Sequence, residues 1–294
     1  MLTLLASAKL NLTLEVLGKN DGYHELTSVM QTIKMFDILS FEESERVELE
    51  CSVPSLQTAD NLVLKAASML RQASSCQSGV KIKLKKGIPW ASGLGGGSSD
   101  AAATLLGLNK LWSLGLSYEQ LSTIAAKVGS DVPFFIYSGS CLVKGRGNQV
   151  IPLPDVQTMY FVLLKPGLPE QINKTRRLYG ILRPSDYTTG SLTQQAISAM
   201  GGGKGLRENM VFNVFDGAAF EAFPGIERYW NEFLHAGAGN VHLAGSGPVL
   251  FASVENRKEA VAICQKLTNC SIKCYAVASA TRAQLEKQRS QIAI

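Results

Sequence analysis

Hydrophobic and polar positions alternate strictly near the start of the chain. In the segment KLNLTLEV, residues 9–16, the apolar side chains fall on one side, while Lys9, Asn11, Thr13 and Glu15 fall on the other. Successive side chains of a strand point to opposite faces, so this period of two predicts a β-strand with one buried face. The next segment, GKNDGYHEL, has Asn-Asp-Gly turn chemistry and is predicted to be a loop.

The same reading of periodicity predicts the other elements of the first half. Apolar residues recur at helical spacing from position 101 onwards and predict a helix there. The next helix is framed by a capping box of Ser117 and Gln120 and by a stop at Gly129. The remaining predictions are strands at 29–41, 46–52 and 80–84, a helix from Asn61 to about Ala73, and a hairpin at 141–153 around GRGN.

A boundary between two domains is predicted near IPLPDVQ, residues 151–157, which gives domains at 1–155 and 156–294. Strands and helices alternate irregularly on both sides of it, so the fold class is α+β, a mixed α/β chain. The glycine-rich AMGGGKG, 199–205, is predicted to be an exposed loop. Beyond the boundary we expect a strand at 159–165, several helices between 175 and 235, a strand pair around GSGP, a helix at 256–267 and a last strand, SIKCYAVAS.

Composition and charge exclude several classes of protein. The 294 residues are 46% hydrophobic and 18% charged, which is typical of a soluble globular chain. A net charge of +5 suits anionic ligands, but no long basic run is interleaved with aromatics, so no nucleic-acid partner is expected. No apolar run is long enough to span a bilayer, and MLTLLASAKL lacks the basic region of a signal peptide. We therefore expect a cytoplasmic protein without a membrane partner or an obligate protein partner.

Six cysteines are present, and no two of them form a C-x-x-C pair. No histidine lies near the C-terminal three in sequence, so zinc-site spacing is absent. Buried, reduced thiols are the expectation for a cytosolic chain. The cysteines are Cys51, Cys76, Cys141, Cys264, Cys270 and Cys274.

The stretch GLGGGSSDAA, residues 93–102, lies between a predicted strand and a predicted helix. Glycines let the backbone approach a ligand, and the unpaired N–H groups of a helix N-terminus attract anions. Ser98, Ser99 and Asp100 are predicted as N-cap residues. The stretch lacks the lysine of a Walker A loop and the spacing of a dinucleotide fingerprint. The flanking elements exclude a linker, but the residues alone leave a phosphate cradle and a structural turn both open.

Three segments together resemble the motifs of the GHMP kinases. IPWASGLGGGSSDAA is similar to the family's phosphate-binding motif, SAKLNLTLEV to its N-terminal motif and LAGSGPVLF, 243–251, to its C-terminal glycine motif. The resemblance implies a two-domain α+β fold with a ferredoxin-like C-terminal domain. It also implies ATP-dependent phosphorylation of an alcohol, with Mg²⁺ arriving on ATP and its protein ligands unknown. The ATP-binding residues it implies are Gly93, Leu94, Gly95, Gly96, Gly97, Ser98, Ser99, Lys86 and Asn61.

Two residues match the family's catalytic pair. Asp131, in GSDVPFF, would accept the proton of the attacking hydroxyl. Local sequence alone favours a different role for Asp131, as the cap of a helix starting at Val132 and Pro133. Lys9 matches the family's lysine, and its strand places it on the same face as Asn11. The alternative for Lys9 is an ordinary solvated side chain at a strand start.

One branch of the family, whose substrate carries a cytidyl diphosphate, resembles this chain over AKLNLTLEVLGKNDGYHEL. That resemblance places Tyr23 and His24 around the cytosine ring, with Asn11 also on the substrate. Tyr179 is the expected second aromatic, although the chain is a few residues longer than the pattern between KPG and KTRRLY. His235 and His242 are predicted to be structural.

Two other functions remain open at this point. One is a mevalonate- or homoserine-type kinase, which the GYHEL segment disfavours because those substrates carry no cytosine. The other is a non-catalytic ligand sensor on the same fold, which the presence of both Lys9 and Asp131 disfavours.

Overall fold

The computed structural model describes residues 1–20, 22–171, 173–201, 206 and 208–291. Most predicted helices and strands of the first half are confirmed, with small shifts at their ends. The strand predicted at 9–16 is instead divided, because one strand ends at Asn11 and the next begins at Thr13. The elements are β1 (Leu2–Asn11), β2 (Thr13–Asn20), β3 (Tyr23–Ser44), β4 (Val47–Cys51), α1 (Leu62–Ser74), β5 (Gly79–Lys85), α2 (Gly96–Leu111), α3 (Tyr118–Val128), α4 (Val132–Tyr137), β6 (Ser140–Gly145) and β7 (Gln149–Pro152).

The second half also follows the prediction, apart from an additional C-terminal helix. That helix, α10, was not predicted because Leu285 is the only large apolar residue in its first turns. Most of the glycine-rich 199–205 segment lies outside the described residues. The elements are β8 (Tyr160–Lys165), α5 (Lys174–Ile181), α6 (Ser191–Met200), β9 (Phe212–Asn213), α7 (Ala219–Ala222), α8 (Ile226–His235), β10 (His242–Leu243), β11 (Leu250–Val254), α9 (Arg257–Asn269), β12 (Lys273–Ala278) and α10 (Arg282–Gln291).

The long strand β3 organises the first sheet. It pairs antiparallel with β1, β2, β5 and β6, while β4 joins β5 in parallel and β7 joins β6. Helices α1 to α4 cover one face, where side chains such as Phe41, Leu105 and Phe134 are fully buried. The sheet therefore holds β1 and the start of α2, which carry Lys9 and the glycine stretch, against one rigid core.

The predicted loop around GKNDGYHEL is in fact the end of a β-hairpin. Lys19 pairs with His24 and Asn20 with Tyr23, so β2 and β3 extend almost to the turn. Gly22 lies in a turn, as predicted, but the strands on either side continue through polar positions that give no alternating signal.

The predicted polar face of the first strand is buried, contrary to expectation. Lys9, Asn11, Thr13 and Glu15 are each at most 5% exposed. The second half of the chain covers this face: the Thr193 hydroxyl hydrogen-bonds that of Thr13 at 2.9 Å, and the Thr193 N–H donates to Glu15 at 2.6 Å. Buried polar side chains are costly unless paired, so this face serves as an interior polar surface.

The second sheet has the order β10-β11-β8-β12, and all its pairs are antiparallel. With α9 between β11 and β12, this is the ferredoxin-like arrangement that the resemblance implies. The predicted boundary at 155/156 stays a prediction. The short strand β9 follows this boundary in the sequence but belongs to the first sheet, because it pairs in parallel with β2.

The expectations about membrane-spanning helices and about the cysteines have different outcomes. Across the described residues, no helix combines the length and apolar character needed to cross a membrane. The six cysteines are unpaired, as predicted, but only Cys141 is buried and Cys270 is exposed. The expectation that all six thiols are buried was therefore wrong.

Candidate active site

A cleft of about 560 Å³ opens where the two halves of the chain meet, a volume typical of small-molecule sites. Strands of the first sheet line it, together with helix α5 and loops of the second half. The predicted residues at its wall are Lys9, Asn11, Asn61, Lys86, Gly93, Gly95, Gly96, Gly97, Ser98, Asp131 and Tyr179.

The glycine stretch turns directly into helix α2. Gly95 is the N-cap residue, with a φ of 74°, and the helix begins at Gly96. The predicted caps Ser98, Ser99 and Asp100 instead lie inside the helix, as its third to fifth residues. Gly95 takes the cap position because glycine adopts this left-handed conformation without steric cost. The first N–H groups of a helix have no partner within it. Those of Gly96, Gly97 and Ser98 stand at the cleft wall and form an anion nest.

Two residues of the predicted ATP loop direct their side chains away from the cleft. Leu94 is fully buried in the apolar core, and its carbonyl accepts from the Lys9 N–H at 3.0 Å. Ser99 is 2% exposed and lies outside the cleft lining. Any part these two residues play in binding ATP therefore rests on their backbone.

Lys9 is a buried cation with two partners. Its Nζ donates to Asn11 Oδ1 at 2.6 Å and lies 3.5 Å from Asp131 Oδ2. Asn11 is fixed in turn, because its Nδ2 donates to Ser28 Oγ at 2.8 Å. The alternative of an ordinary solvated lysine is wrong: this ammonium is held at a defined point of the cleft wall.

Asp131 stands at the N-cap of α4 without capping it. No hydrogen bond joins its side chain to the helix N–H groups, and Pro133 in the first turn has no N–H to satisfy. The carboxylate is 41% exposed and faces Lys9 across the cleft. The capping role that local sequence favoured is therefore wrong, and the carboxylate is free to accept a proton.

Gly245, in the C-terminal glycine motif, packs against Lys9 and Asn11. A Cβ there would stand 2.9 Å from Lys9 Nζ and 3.1 Å from Asn11 Oδ1, with a backbone φ of +56°. Asn213 fixes this turn by donating to the carbonyls of Leu243 and Gly245, each at 2.8 Å. Sequence reasoning did not single out Asn213, because nothing local to it indicates a contact 30 residues away.

The two glycine motifs touch directly. A Cβ on Gly93 would lie 1.7 Å from the Ala244 carbonyl oxygen. Only glycine therefore fits at the point where the two motifs cross. The phosphate-loop candidate of the first half and the GSGP turn of the second half therefore form one continuous surface.

Lys86 lies behind the glycine stretch and is already paired. Its ammonium bonds Asp37 and, at 2.6 Å, Asp100. Asp37 also accepts from the N–H groups of Gly87 and Ile88, at 2.6 and 2.8 Å. Burial lowers the pKa of Lys86, but the two carboxylates outweigh it and raise that pKa overall. The predicted contact of Lys86 with ATP would therefore compete with this internal ion pairing.

Burial also acts on Asp100, the fifth residue of α2 and a partner of Lys86. It raises the pKa of Asp100 to about 8, with the Lys86 ammonium opposing the shift and Asp37 adding to it. Asp37 was missed by sequence reasoning, because a single aspartate within a long strand gives no motif. The three side chains tie β3, the segment after β5 and the start of α2 together beneath the glycine stretch.

Asn61, another predicted ATP ligand, lies at the rim and caps α1. Its Oδ1 accepts from the Val63 N–H at 2.9 Å, and its Nδ2 donates to the Leu56 carbonyl at 2.7 Å. Both polar groups are used locally, so a contact with ATP stays a prediction.

The aromatic residues are only partly brought together as predicted. His24 stacks on Tyr179 with ring centroids 4.7 Å apart, and Tyr179 lines the cleft. Tyr23 is 56% exposed and lies outside the cleft lining, with the Arg146 guanidinium 3.5 Å over its ring. Because successive strand residues point to opposite sides, Tyr23 and His24 do not face the same space.

The protonation of these rings follows from their surroundings. Burial, and secondarily the Asp131 charge, raises the pKa of Tyr179 to about 12, so its hydroxyl stays protonated. Partial burial and Lys19 lower the pKa of His24, which keeps the imidazole neutral. His242 has a structural partner, as predicted, since its Nδ1 lies 2.7 Å from Asp216.

No preformed metal cluster accompanies these residues. Within the described ranges, no group of three or more His, Cys, Asp or Glu side chains could hold a metal ion. The oxygen donors with side chains at the cleft include Ser98 and Asp131, which suit Mg²⁺ bound mainly by phosphate oxygens.

Two family models match the chain in the order the motifs predict. The GHMP kinases N terminal domain matches residues 61–139, and the GHMP kinases C terminal domain matches residues 196–273. The chain belongs to the GHMP kinase family and is a kinase, with ATP as its phosphoryl donor.

The more specific likeness is to one group within that family. A 4-diphosphocytidyl-2-C-methyl-D-erythritol kinase of Dehalococcoides mccartyi is 43% identical over 95% of this chain and 98% of its own length. The same enzyme of Carboxydothermus hydrogenoformans is 41% identical over 90% and 92%. A crystal structure of 4-(cytidine 5'-diphospho)-2C-methyl-D-erythritol kinase superimposes with a TM-score of 0.79 at 30% identity, covering 94% of this chain and 98% of that one.

Other members share the architecture alone. Homoserine kinase from Cytophaga hutchinsonii superimposes with a TM-score of 0.71 at 18% identity, over 95% of this chain and 94% of that one. The expected fold, with its two GHMP domains, is confirmed.

Proposed function

We propose that this chain transfers the γ-phosphoryl group of ATP to the 2-hydroxyl of 4-diphosphocytidyl-2-C-methyl-D-erythritol, in the non-mevalonate route to isoprenoid precursors. The observation that carries the proposal is the Lys9–Asp131 pair, 3.5 Å apart, at the junction of the two glycine motifs. The names of the relatives supply the substrate.

The proposed chemistry needs positioning and charge more than covalent help. The N–H groups of Gly96, Gly97 and Ser98 bind the ATP phosphates. Asp131 accepts the proton of the substrate hydroxyl as the new O–P bond forms and the bond to ADP breaks. Lys9 attracts the negative charge that spreads over the transferring phosphoryl oxygens.

Mg²⁺, when bound with ATP, neutralises charge on the phosphates. Ser98 is the residue that would hold it on the protein side, since its hydroxyl oxygen lies at the cleft while Asp131 accepts the proton. This chain's own part is to keep that oxygen-lined wall fixed through the packing of α2 and α4.

Cytosine recognition would use the Tyr179 ring. Its face is covered by His24, 4.7 Å away, so a base stacking on Tyr179 would take the place of His24 or continue the stack. The Arg146 guanidinium covers one face of the Tyr23 ring, so a base could stack on that face only if Arg146 moved. Replacement of His24 by the base would therefore require side chains at the hairpin end of β2 and β3 to rearrange, whereas a continued stack would leave them in place.

An ADP-release assay over a panel of alcohols tests the proposal. The panel contains the cytidyl substrate, mevalonate, phosphomevalonate, homoserine and galactose, each with MgATP. Turnover with the cytidyl substrate well above the others is expected. Turnover with mevalonate but not with the cytidyl compound would refute the proposed substrate. Binding of these ligands without any ADP release would favour a non-catalytic sensor. The cytoplasmic location is a prediction that cell fractionation can check.

A further inference from the structure

Lys174 occupies the cleft although no motif pointed to it. It is the first residue of α5 and follows the stretch in which the chain departs from the family pattern. Its side chain lines the cleft and is partly buried. The ion pairs of the described residues do not include it. A partly buried lysine without a carboxylate partner needs another source of stabilisation, because removing an isolated charge from water is costly.

Two backbone carbonyls meet the Lys174 ammonium, one from each half of the cleft. It donates to the Ala91 carbonyl at 2.9 Å and also to the Gly247 carbonyl. Ala91 belongs to the segment that leads into the glycine stretch, and Gly247 belongs to the GSGP turn. Each tie is a charge-assisted hydrogen bond, the stronger kind in proteins.

The neighbouring side chains reinforce the same junction. Thr175 donates to Ser246 Oγ at 2.9 Å, which attaches the start of α5 to the GSGP turn a second time. On the outer side, the Trp90 indole N–H donates to Glu170, and the Lys165 ammonium lies 5.1 Å over the Trp90 ring. Lys165 and Glu170 therefore contact Trp90. Lys174 and Thr175 attach the start of α5 to Ala91 and to the GSGP turn.

We propose that Lys174 is a positioning residue that holds the two glycine motifs in the spacing that ATP phosphates require. The single ammonium of Lys174 holds the segment just before Gly93 and the turn just after Ala244. Its removal would therefore loosen both the glycine stretch and the turn that packs against Lys9. The positive charge of Lys174 adds to that of Lys9 near the phosphate nest. Burial, and secondarily Lys9, lowers the pKa of Lys174 to about 8, in keeping with a cation that an anionic ligand would stabilise.

The proposal rests on ATP as the phosphoryl donor but not on the cytidyl substrate. The test is therefore a calorimetric titration of the full-length protein with a non-hydrolysable MgATP analogue, alongside steady-state kinetics. Lys174→Met keeps the length of the side chain and removes its charge and donors. Lys174→Arg keeps both charge and donors. Lys258→Met, at an exposed position in α9, is the control for the lost charge.

Lys174→Met is expected to weaken analogue binding and raise KM for ATP by roughly tenfold or more, the scale of a lost charge-assisted hydrogen bond. Lys174→Arg restores at least part of this affinity, and Lys258→Met matches the unaltered protein. Equal affinity of Lys174→Met and the unaltered protein would overturn the proposal. So would a loss of affinity that only accompanies a lowered Tm and is not rescued by arginine. An unaltered protein that binds the analogue but ignores the cytidyl substrate would refute the proposed function alone.

Discussion

The carboxylate of Asp131 lies 3.5 Å from the ammonium of Lys9, although one residue begins a short helix and the other lies within the first strand. Asn11 Oδ1 also accepts a hydrogen bond from this ammonium, at 2.6 Å. Neither side chain is used in capping or in the apolar core, so the pair is available for chemistry on a ligand in the cleft.

Replacing Asp131 with asparagine should remove the proton acceptor and leave the fold unchanged, because the carboxylate makes no capping bond. We expect kcat to fall by at least about a hundredfold, the usual loss for a general base. Kinetics of ADP release measure it, and a thermal melt checks folding. Asp60→Asn, at an exposed carboxylate on the cleft rim, is the matched control. A near-normal kcat for Asp131→Asn would remove Asp131 from the mechanism.

The Gly245→Ala variant should displace Lys9. The added Cβ would stand 2.9 Å from Lys9 Nζ, and the positive φ adds strain. We expect kcat to fall by tenfold to roughly a hundredfold, since a small misplacement of a catalytic group has effects on that scale. Gly217→Ala is the control, because a Cβ there meets nothing within 4 Å. Equal kcat for the two variants would contradict the tight packing of Gly245 on Lys9.

The buried Asp100 predicts a dependence of stability on pH. Folding raises its pKa from 3.8 to about 8, chiefly through burial, so the folded protein keeps a proton that the unfolded chain releases. The contribution of Asp100 to the free energy of unfolding is therefore largest at low pH and falls as pH rises from about 4 to about 8. Urea unfolding at pH 5 and pH 8 measures the fall.

The matched variants for this experiment are Asp100→Asn and Asp60→Asn. Asp100→Asn should show a smaller loss of stability between the two pH values, because the titrating group is gone. Asp60→Asn should keep the full loss, since that carboxylate is exposed. The same loss in all three proteins would show that Asp100 does not titrate in this range.

Tyr179→Ala should chiefly affect the cytidyl substrate. Loss of a stacking ring weakens base binding by roughly tenfold or more, so KM for that substrate should rise on this scale while KM for ATP changes little. Tyr179→Phe keeps the ring and should stay close to the unaltered protein. A matching rise in both KM values for Tyr179→Ala would indicate collapse of the cleft wall instead, because Tyr179 also packs edge-on against Phe215 at 5.0 Å.

Most helices and strands could be predicted from the sequence, because their apolar residues recur at regular spacing and their ends carry capping or turn residues. The capping box of Ser117 and Gln120 formed as expected, with both reciprocal hydrogen bonds. The hairpin around Tyr23 was missed since its strands continue through polar residues. Helix α10 was missed for lack of an apolar stripe, as Leu285 is its main anchor.

Sequence motifs identified several residues of the candidate site. The residues that contact them in the cleft lie far away along the chain. Lys9, the glycine stretch and Asp131 were found through their resemblance to family motifs. Asp37, Asn213 and Lys174 were not, because each acts through a tertiary contact that leaves no local pattern. The orientation of side chains was likewise beyond the motifs: Tyr23 and Ser99 lie in the expected segments but point away from the cleft.

The two-residue strand β9 has a consequence for how the molecule can be divided. It hydrogen-bonds alongside β2, while Leu10 and Leu12 of the first half share a core with Phe161 and Phe251 of the second. A fragment ending near residue 155 would present this core to water and would lack an edge of its own sheet. Co-expression of two fragments should therefore succeed only if they associate, and the intact chain should unfold as one cooperative unit.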